Sequence, residues 1–353
     1  MMKRAFPMVG LALIGLLSPA PSRADARKLK VVVANSAYHY IAQRVGGDKV
    51  EVVHIVKGNQ DPHIVRPKPS LAVMLKQADL YVTTGMDLEM WSPALVDMSG
   101  NPDIRSGQKG YVSASAGIKI MEQPITLSRA EGDVHIYGNP HIHTSPLNGK
   151  VVAENICVGL KRNAPQHTAY FEQNLKRFKD EVDRRTFGDD LVKLLGGNTL
   201  TDLAQSGRLI PFLEKKKYKG KPLIERLGGW MKAALPFRGK KIVAYHKNIT
   251  YFVQLFGIEI IDYLEPKPGI PPTPGHISSV LEKMRAQKVR VMWAENYFDV
   301  ALVRKVAKRV DAIPVIVALG PGGQPGMNTF FDMFDIWIRE LKRAFQQAEK
   351  SGT

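Results

Sequence analysis

Three of the nine histidines in this 353-residue chain fall in loops that follow or adjoin apolar, β-branched runs. Open α/β sheets gather their ligand groups in such places. His63 ends Gln60-Asp61-Pro62-His63. His141 lies in Gly138-Asn139-Pro140-His141-Ile142-His143, and His246 closes Ile242-Val243-Ala244-Tyr245-His246. A neutral imidazole suits Zn2+, Cu2+, Ni2+ or Fe, and a zinc site usually has four ligands with Zn–N of about 2.0–2.1 Å. One histidine is more often structural than functional, but three at equivalent loop positions point together to a metal. Glu295 is the first candidate for a fourth donor, because it closes the strand Val289–Ala294 and sits at that strand's carboxyl end. A capping or salt-bridging role is its ordinary alternative. Asp332 and Asp335 are weaker candidates within a helical stretch. His135 and His143 are spare or transfer ligands, set against the ordinary role of a solvated loop histidine.

The elements that must carry these residues read as α/β. Strands are expected at Lys30–Ala34, Val50–Val56, Leu80–Thr84 and Gly110–Ser113, with helices near Tyr38–Val45, Ser70–Gln77 and Leu88–Met98. The alternation restarts with strands at Ile242–Tyr245, Ile258–Leu264, Val289–Ala294 and Val315–Leu319. Helices are expected near Ile249–Phe256, Gly275–Gln287, Val300–Val310 and Asn328–Ala348. Strands alternating with helices of this kind build parallel sheets, so the chain reads as two similar (βα)4-like lobes. Between them Phe171, Leu175, Phe178 and Val182 make an apolar stripe on a charged helix, a stiff spine between the lobes with a solvated outer face. The expected organisation is a signal peptide at 1–24, an N-terminal lobe at 25–160, the spine at 161–188, a partly helical insertion at 189–240 and a C-terminal lobe at 241–350.

Composition narrows the function classes. The single Cys157 excludes a disulfide framework and a cysteine-rich zinc module. The formal charge of +17 by itself suggests nucleic acid, a membrane surface or an acidic partner. Lys3 and Arg4, the apolar stretch Ala5–Leu17 and the ending Ser22-Arg23-Ala24 have the anatomy of a removable secretory signal. No cysteine follows that stretch for lipid attachment, and removal of residues 1–24 leaves the chain basic. No later segment has the roughly 20 apolar residues of a spanning helix, which implies a soluble exported protein.

Several short motifs occur in one order: Asp61-Pro62-His63 with Pro69-Ser70, Gly85-Met86-Asp87-Leu88-Glu89-Met90-Trp91, Asn139-Pro140-His141, Tyr245-His246 with Tyr251-Phe252, and Glu265-Pro266 with Gly269-Ile270-Pro271-Pro272-Thr273-Pro274. Together, over roughly residues 29–348, the chain resembles the zinc/manganese-type periplasmic solute-binding proteins of metal ABC transporters. The resemblance implies α/β lobes joined by a long rigid helix, with metal held between them and delivered to a membrane permease. His63, His141 and His246 match three family ligands, and Glu295 matches a family Glu after the preceding strand. Two departures stand out. His143 replaces the aromatic of the family's H-x-W-L-D-P motif, and Val317-Ala318-Leu319-Gly320 stands where the family often has a ligating Asp in D-S-L-G. The acidic, histidine-rich loop of many zinc members is reduced to Asp133–His143.

The expected function is therefore capture of a divalent transition metal in the periplasm, Zn2+ first and Mn2+ or Fe2+ as alternatives, by a non-enzymatic monomer. Its expected partners are the permease and a periplasmic metallochaperone, with membrane contact only through the permease and no nucleic acid. An exported metallohydrolase could use the same histidines with an open coordination position, but neither H-E-x-x-H nor Gly-x-Ser-x-Gly is present. A basic nucleic-acid module is suggested by charge alone and lacks a binding motif.

Overall fold

The computed structural model describes residues 27–124 and 135–350; the expected signal peptide lies outside them. The chain opens with β1 (Leu29–Asn35), α1 (Ser36–Gly46), β2 (Val50–Val56), α2 (Pro69–Lys76), β3 (Leu80–Thr83), α3 (Ser92–Ser99) and β4 (Tyr111–Ser113). The four strands form one parallel sheet in the order β2-β1-β3-β4. Two long helices follow, α4 (Pro146–Asn163) and α5 (Thr168–Phe187), then α6 (Asp189–Leu195), α7 (Gly197–Gln205), α8 (Leu209–Lys215), a hairpin of β5 (Lys217–Tyr218) and β6 (Lys221–Pro222), and α9 (Gly229–Ala234). The second lobe holds β7 (Lys241–Ala244), α10 (Thr250–Phe256), β8 (Glu259–Tyr263), α11 (Pro274–Ala286), β9 (Val291–Glu295), α12 (Val300–Lys308), β10 (Ile313–Val317) and α13 (Phe330–Lys350). Its parallel sheet runs β10-β9-β7-β8.

Both sheets are covered on two faces, which is why their strands read as continuous apolar runs. The side-chain alternation of a strand sorts residues between layers. Val31 and Val33 face the central core while Val32 and Ala34 face an outer one under α2 and α3. In the second lobe Val291 and Trp293 join the central core, and Met292 and Ala294 meet α11 and α12. The central core is continuous through both lobes and takes in Phe171, Phe178 and Val182 of α5, so the expected stripe on this helix packs as the sequence implied. The helix itself starts only at Thr168. Pro165 cannot continue α4, and Ala164 before it leaves helical geometry at φ −143°, ψ 69°.

Residues 189–240 are α6 to α9 and the small hairpin; α6, α7 and α9 pack on α5, with Leu191, Leu200 and Trp230 in the central core, and α8 packs on α7. Polar bonds lock this layer. Lys150 of α4 meets Asp183 of α5 at 2.7 Å and Thr201 of α7 at 2.9 Å in a buried setting. Trp230 Nε1 donates to Asp335 of α13 at 2.6 Å, and Arg185 reaches the same carboxylate at 3.2 Å. Asp332 accepts the backbone N–H groups of Asn328 and Thr329 at 2.9 and 2.8 Å and so caps α13. The two aspartates are therefore structural. The helix expected at Leu88–Met98 begins four residues later, at Ser92, after a separate short turn at Asp87–Glu89.

Candidate metal centre

The segments that follow β2, β3 and β4 face those after β7 and β8. Four histidines meet there. His63, His135, His141 and His246 each offer one ring nitrogen, and these nitrogens lie within 4.8 Å of one another. His63 Nε2 and His135 Nε2 are 3.3 Å apart, and the ring of His141 is 5.1 Å from that of His63 and 5.4 Å from that of His246.

Three of the rings meet a carboxylate, and the fourth, His141, is placed through its backbone. Asp61 Oδ1 accepts the His63 backbone N–H at 2.9 Å and meets His63 Nδ1 at 2.7 Å, while the Trp91 indole pins the intervening Pro62 carbonyl at 2.9 Å. Asp87 meets His135 Nδ1 at 3.2 Å and takes the Ile136 backbone N–H at 2.9 Å. Glu265 meets His246 Nδ1 at 2.6 Å. A carboxylate on Nδ1 holds the proton there and turns the Nε2 lone pair inward, which is how carboxylates orient metal-bound histidines. The His141 turn is built by Asn139. Its Oδ1 accepts the His141 N–H at 3.0 Å, its Nδ2 donates to the Lys247 carbonyl at 2.7 Å, and its own carbonyl accepts the Tyr251 hydroxyl at 2.7 Å. That residue ties the His141 loop to the segment carrying His246.

The nitrogens facing the centre are orphaned. His141 is fully buried and His246 only 4% exposed, yet both His141 nitrogens and His246 Nε2 have no hydrogen-bond partner among the described residues. A buried polar atom left unsatisfied costs about 1–3 kcal/mol, and one such nitrogen on each of His141 and His246, within 4.8 Å of the ligand atoms of His63 and His135, fits a shared cation. Burial, reinforced by the facing His63, His246, His135 and His143 rings, holds His141 well below the ordinary imidazole range. Burial and the charges of His63 and His135 push His246 down to about 3. Both are therefore neutral, ligand-competent imidazoles at neutral pH.

The structure brings His63, His141 and His246 together as expected and adds His135, which had been only a spare. Glu295 lies outside the group. It extends to the same side of β9 as Trp293, whose Nε1 donates to its Oε1 at 2.7 Å, and burial pushes its carboxyl up to about 7 despite hydrogen bonds from Asn248 and Trp293. His143 also stays outside. Its ring is 6.3 Å from that of His141, it lines a small pocket with Asn35, Lys57 and Gly320, and burial lowers it to about 4. Sequence reasoning missed the orienting roles of Asp61, Asp87 and Glu265, although each lies in a motif already singled out. The loop after Val317 does something else: Leu319 and Gly320 donate their N–H groups to the Gly58 carbonyl at 3.1 and 3.2 Å, joining the two lobes beside the centre.

The chain matches the family described as "ZnuA: Zinc-uptake complex component A periplasmic" over residues 31–186 and 219–344. It belongs to this ZnuA family. The manganese ABC transporter substrate-binding lipoprotein PsaA of Streptococcus mitis is 25% identical over 312 residues, covering 86% of this chain and 85% of the relative. The metal ABC transporter substrate-binding lipoprotein FimA of Streptococcus parasanguinis is 26% identical over 309 residues, 86% and 84% of the two chains. A crystal structure of ZnuA superposes with a TM-score of 0.65 at 19% identity, covering 90% of this chain and 99% of the other. The Mn-bound periplasmic metal binding protein of candidatus liberibacter asiaticus gives 0.62 at 18% identity, with coverages of 89% and 98%. The structural likeness bears on the fold alone: two parallel-sheet lobes and a long helix. The stretch between the two matched segments, 187–218, holds α6 to α8.

Proposed function

We propose that this chain is a periplasmic capture protein for a divalent transition metal, Zn2+ before Mn2+ or Fe2+, and that it hands its ion to the permease of an ABC importer. The observation that carries this is the convergence of four imidazoles, with the inward nitrogens of His141 and His246 buried and unpartnered. His63, His135, His141 and His246 are the proposed ligands. An all-imidazole set favours zinc over manganese, which prefers carboxylate, carbonyl and water donors; the manganese in the relatives' names belongs to those relatives. A tetrahedral ion with bonds of about 2.0–2.1 Å spaces its nitrogens about 3.3–3.4 Å apart. The His63–His135 pair already has that spacing, so a small closing movement completes the set.

Capture rather than catalysis suits the surroundings. Asp61, Asp87 and Glu265 are each engaged on a histidine ring nitrogen, where they orient ligands and are poorly placed to activate a water. Ligands come from loops of both lobes, so a permease that separates the lobes weakens the site, since a partner shifts an equilibrium only by its differential affinity for the two states. No helix among the described residues is long and apolar enough to cross a membrane. The test is competition titration of chelator-stripped protein against a chromophoric zinc chelator and then against Mn2+. The proposal expects a tight equivalent of Zn2+, held less well by His141→Ala and His246→Ala, and a weaker Mn2+ complex. Absence of tight binding, or binding indifferent to both substitutions, overturns it.

A further inference from the structure

We propose that His39 and His54 form a second, weaker site for a divalent transition-metal ion of the zinc class, at the edge of the N-terminal sheet and separate from the four-histidine centre. His39 lies on α1 and His54 on β2, the edge strand of that sheet. Their Nδ1 atoms are 3.3 Å apart, and the rings meet edge to face at 5.0 Å and 89°. Two nitrogens on one tetrahedral zinc ion are about 3.3–3.4 Å apart, so the pair already has the bite of a chelate. The same 3.3 Å separates His63 Nε2 from His135 Nε2 in the centre itself.

Access and charge state agree with the geometry. Both rings are only partly buried, so a hydrated ion reaches them. Burial, with the neighbouring His54, lowers His39 to about 4, and burial, with Lys57, lowers His54. Without metal, one ring donates its Nδ1 proton to the other. When an ion binds, the donating ring carries its proton on Nε2 instead, so two neutral imidazoles coordinate with no net proton release. The two remaining positions stay open to water or to a donor brought by a partner, and with half the protein ligands this site is weaker than the centre.

The full chain, stripped with chelator and titrated with Zn2+ at pH 7.5, separates the two sites. Calorimetry should show a tight first event and a weaker second one, the second lost in His39→Gln and in His54→Gln with the first unchanged. In 15N-histidine spectra the Nδ1 resonances of His39 and His54 should move only during the second equivalent. The spectra of the unsubstituted protein decide the matter even if one variant folds poorly. A missing second event, a second event that survives both substitutions, or His39 and His54 resonances that stay still would overturn the proposal.

Discussion

Replacing Glu265 by Gln tests whether the carboxylates beside the histidines, and not only the rings, hold the metal. The substitution keeps an oxygen that can accept the His246 Nδ1 proton and removes only the charge. The native contact is 2.6 Å between side chains that are 5% and 10% exposed, so solvent screens it little. Losing an orienting partner of a metal-bound histidine lowers affinity about 10- to 100-fold, which is about 1.4–2.8 kcal/mol. The Asp61–His63 contact, at 2.7 Å with exposures of 20% and 25%, lies in a wetter setting, and Asp61→Asn should fall at or below the low end of that range. Competition against a chromophoric chelator at pH 7.5 reads both variants on one scale. Wild-type affinity in Glu265→Gln, or a larger loss in Asp61→Asn than in Glu265→Gln, would refute the reasoning, because charge buried beside the ligand is its whole basis.

Three further predictions use the same preparations. His135→Ala should weaken Zn2+ binding at least about tenfold, as loss of one of four ligands implies, whereas Glu295→Gln should stay within about twofold; equal losses in the competition assay would return Glu295 to the site. Metal-free protein should lose stability in acid from buried His143. Its folded pKa of about 4 lies below the unfolded value of about 6.5, so the unfolded state binds more protons between those values. This contribution is intact above pH 6.5 and is lost as pH falls toward 4, on the order of 3 kcal/mol, and a urea midpoint that falls as steeply in His143→Gln would contradict it. Gly58→Ala should open the contact between the lobes, since its added Cβ would lie 2.1 Å from the Gly320 carbonyl oxygen. Faster hydrogen exchange at the Leu319 and Gly320 amides is the expected sign, and unchanged exchange would count against it.

How much of this was legible depended on where each residue's information lies. Strands such as β1 and β9 announce themselves because burial on both faces demands unbroken apolar runs, and the stripe of α5 reads directly from its spacing. His63 and His141 stood out as candidates because Pro marks the turns that present them, and His246 because it ends an apolar strand. The layer at 189–240 was not legible, since α6 to α8 are short helices of 7 to 9 residues whose stability comes from tertiary packing rather than from their own propensity. The direction of the Glu295 side chain was not legible for a related reason. A carboxylate at a strand's end can face the cleft or a neighbour on its own face, and the Trp293 indole two residues back, which decides between them, is a tertiary fact about side-chain direction. His135 was undervalued because its support, Asp87, is 48 residues away.

The departure at Val317 takes on a different meaning beside these contacts. From sequence, replacing a ligating Asp by Val leaves a donor set of neutral imidazoles, which would hold a dication without compensating charge. In the structure Asp61, Asp87 and Glu265 each contact the Nδ1 of a ring in the four-histidine group, so on the proposed reading negative charge would surround the ion without touching it. Charge held behind imidazoles raises their basicity while leaving the inner shell to a borderline donor that zinc accepts and manganese does not favour. The loop at that position donates to the Gly58 carbonyl of the other lobe. On the proposed reading, closure of the centre would depend on this backbone contact between the lobes, which a partner could break without first displacing a ligand.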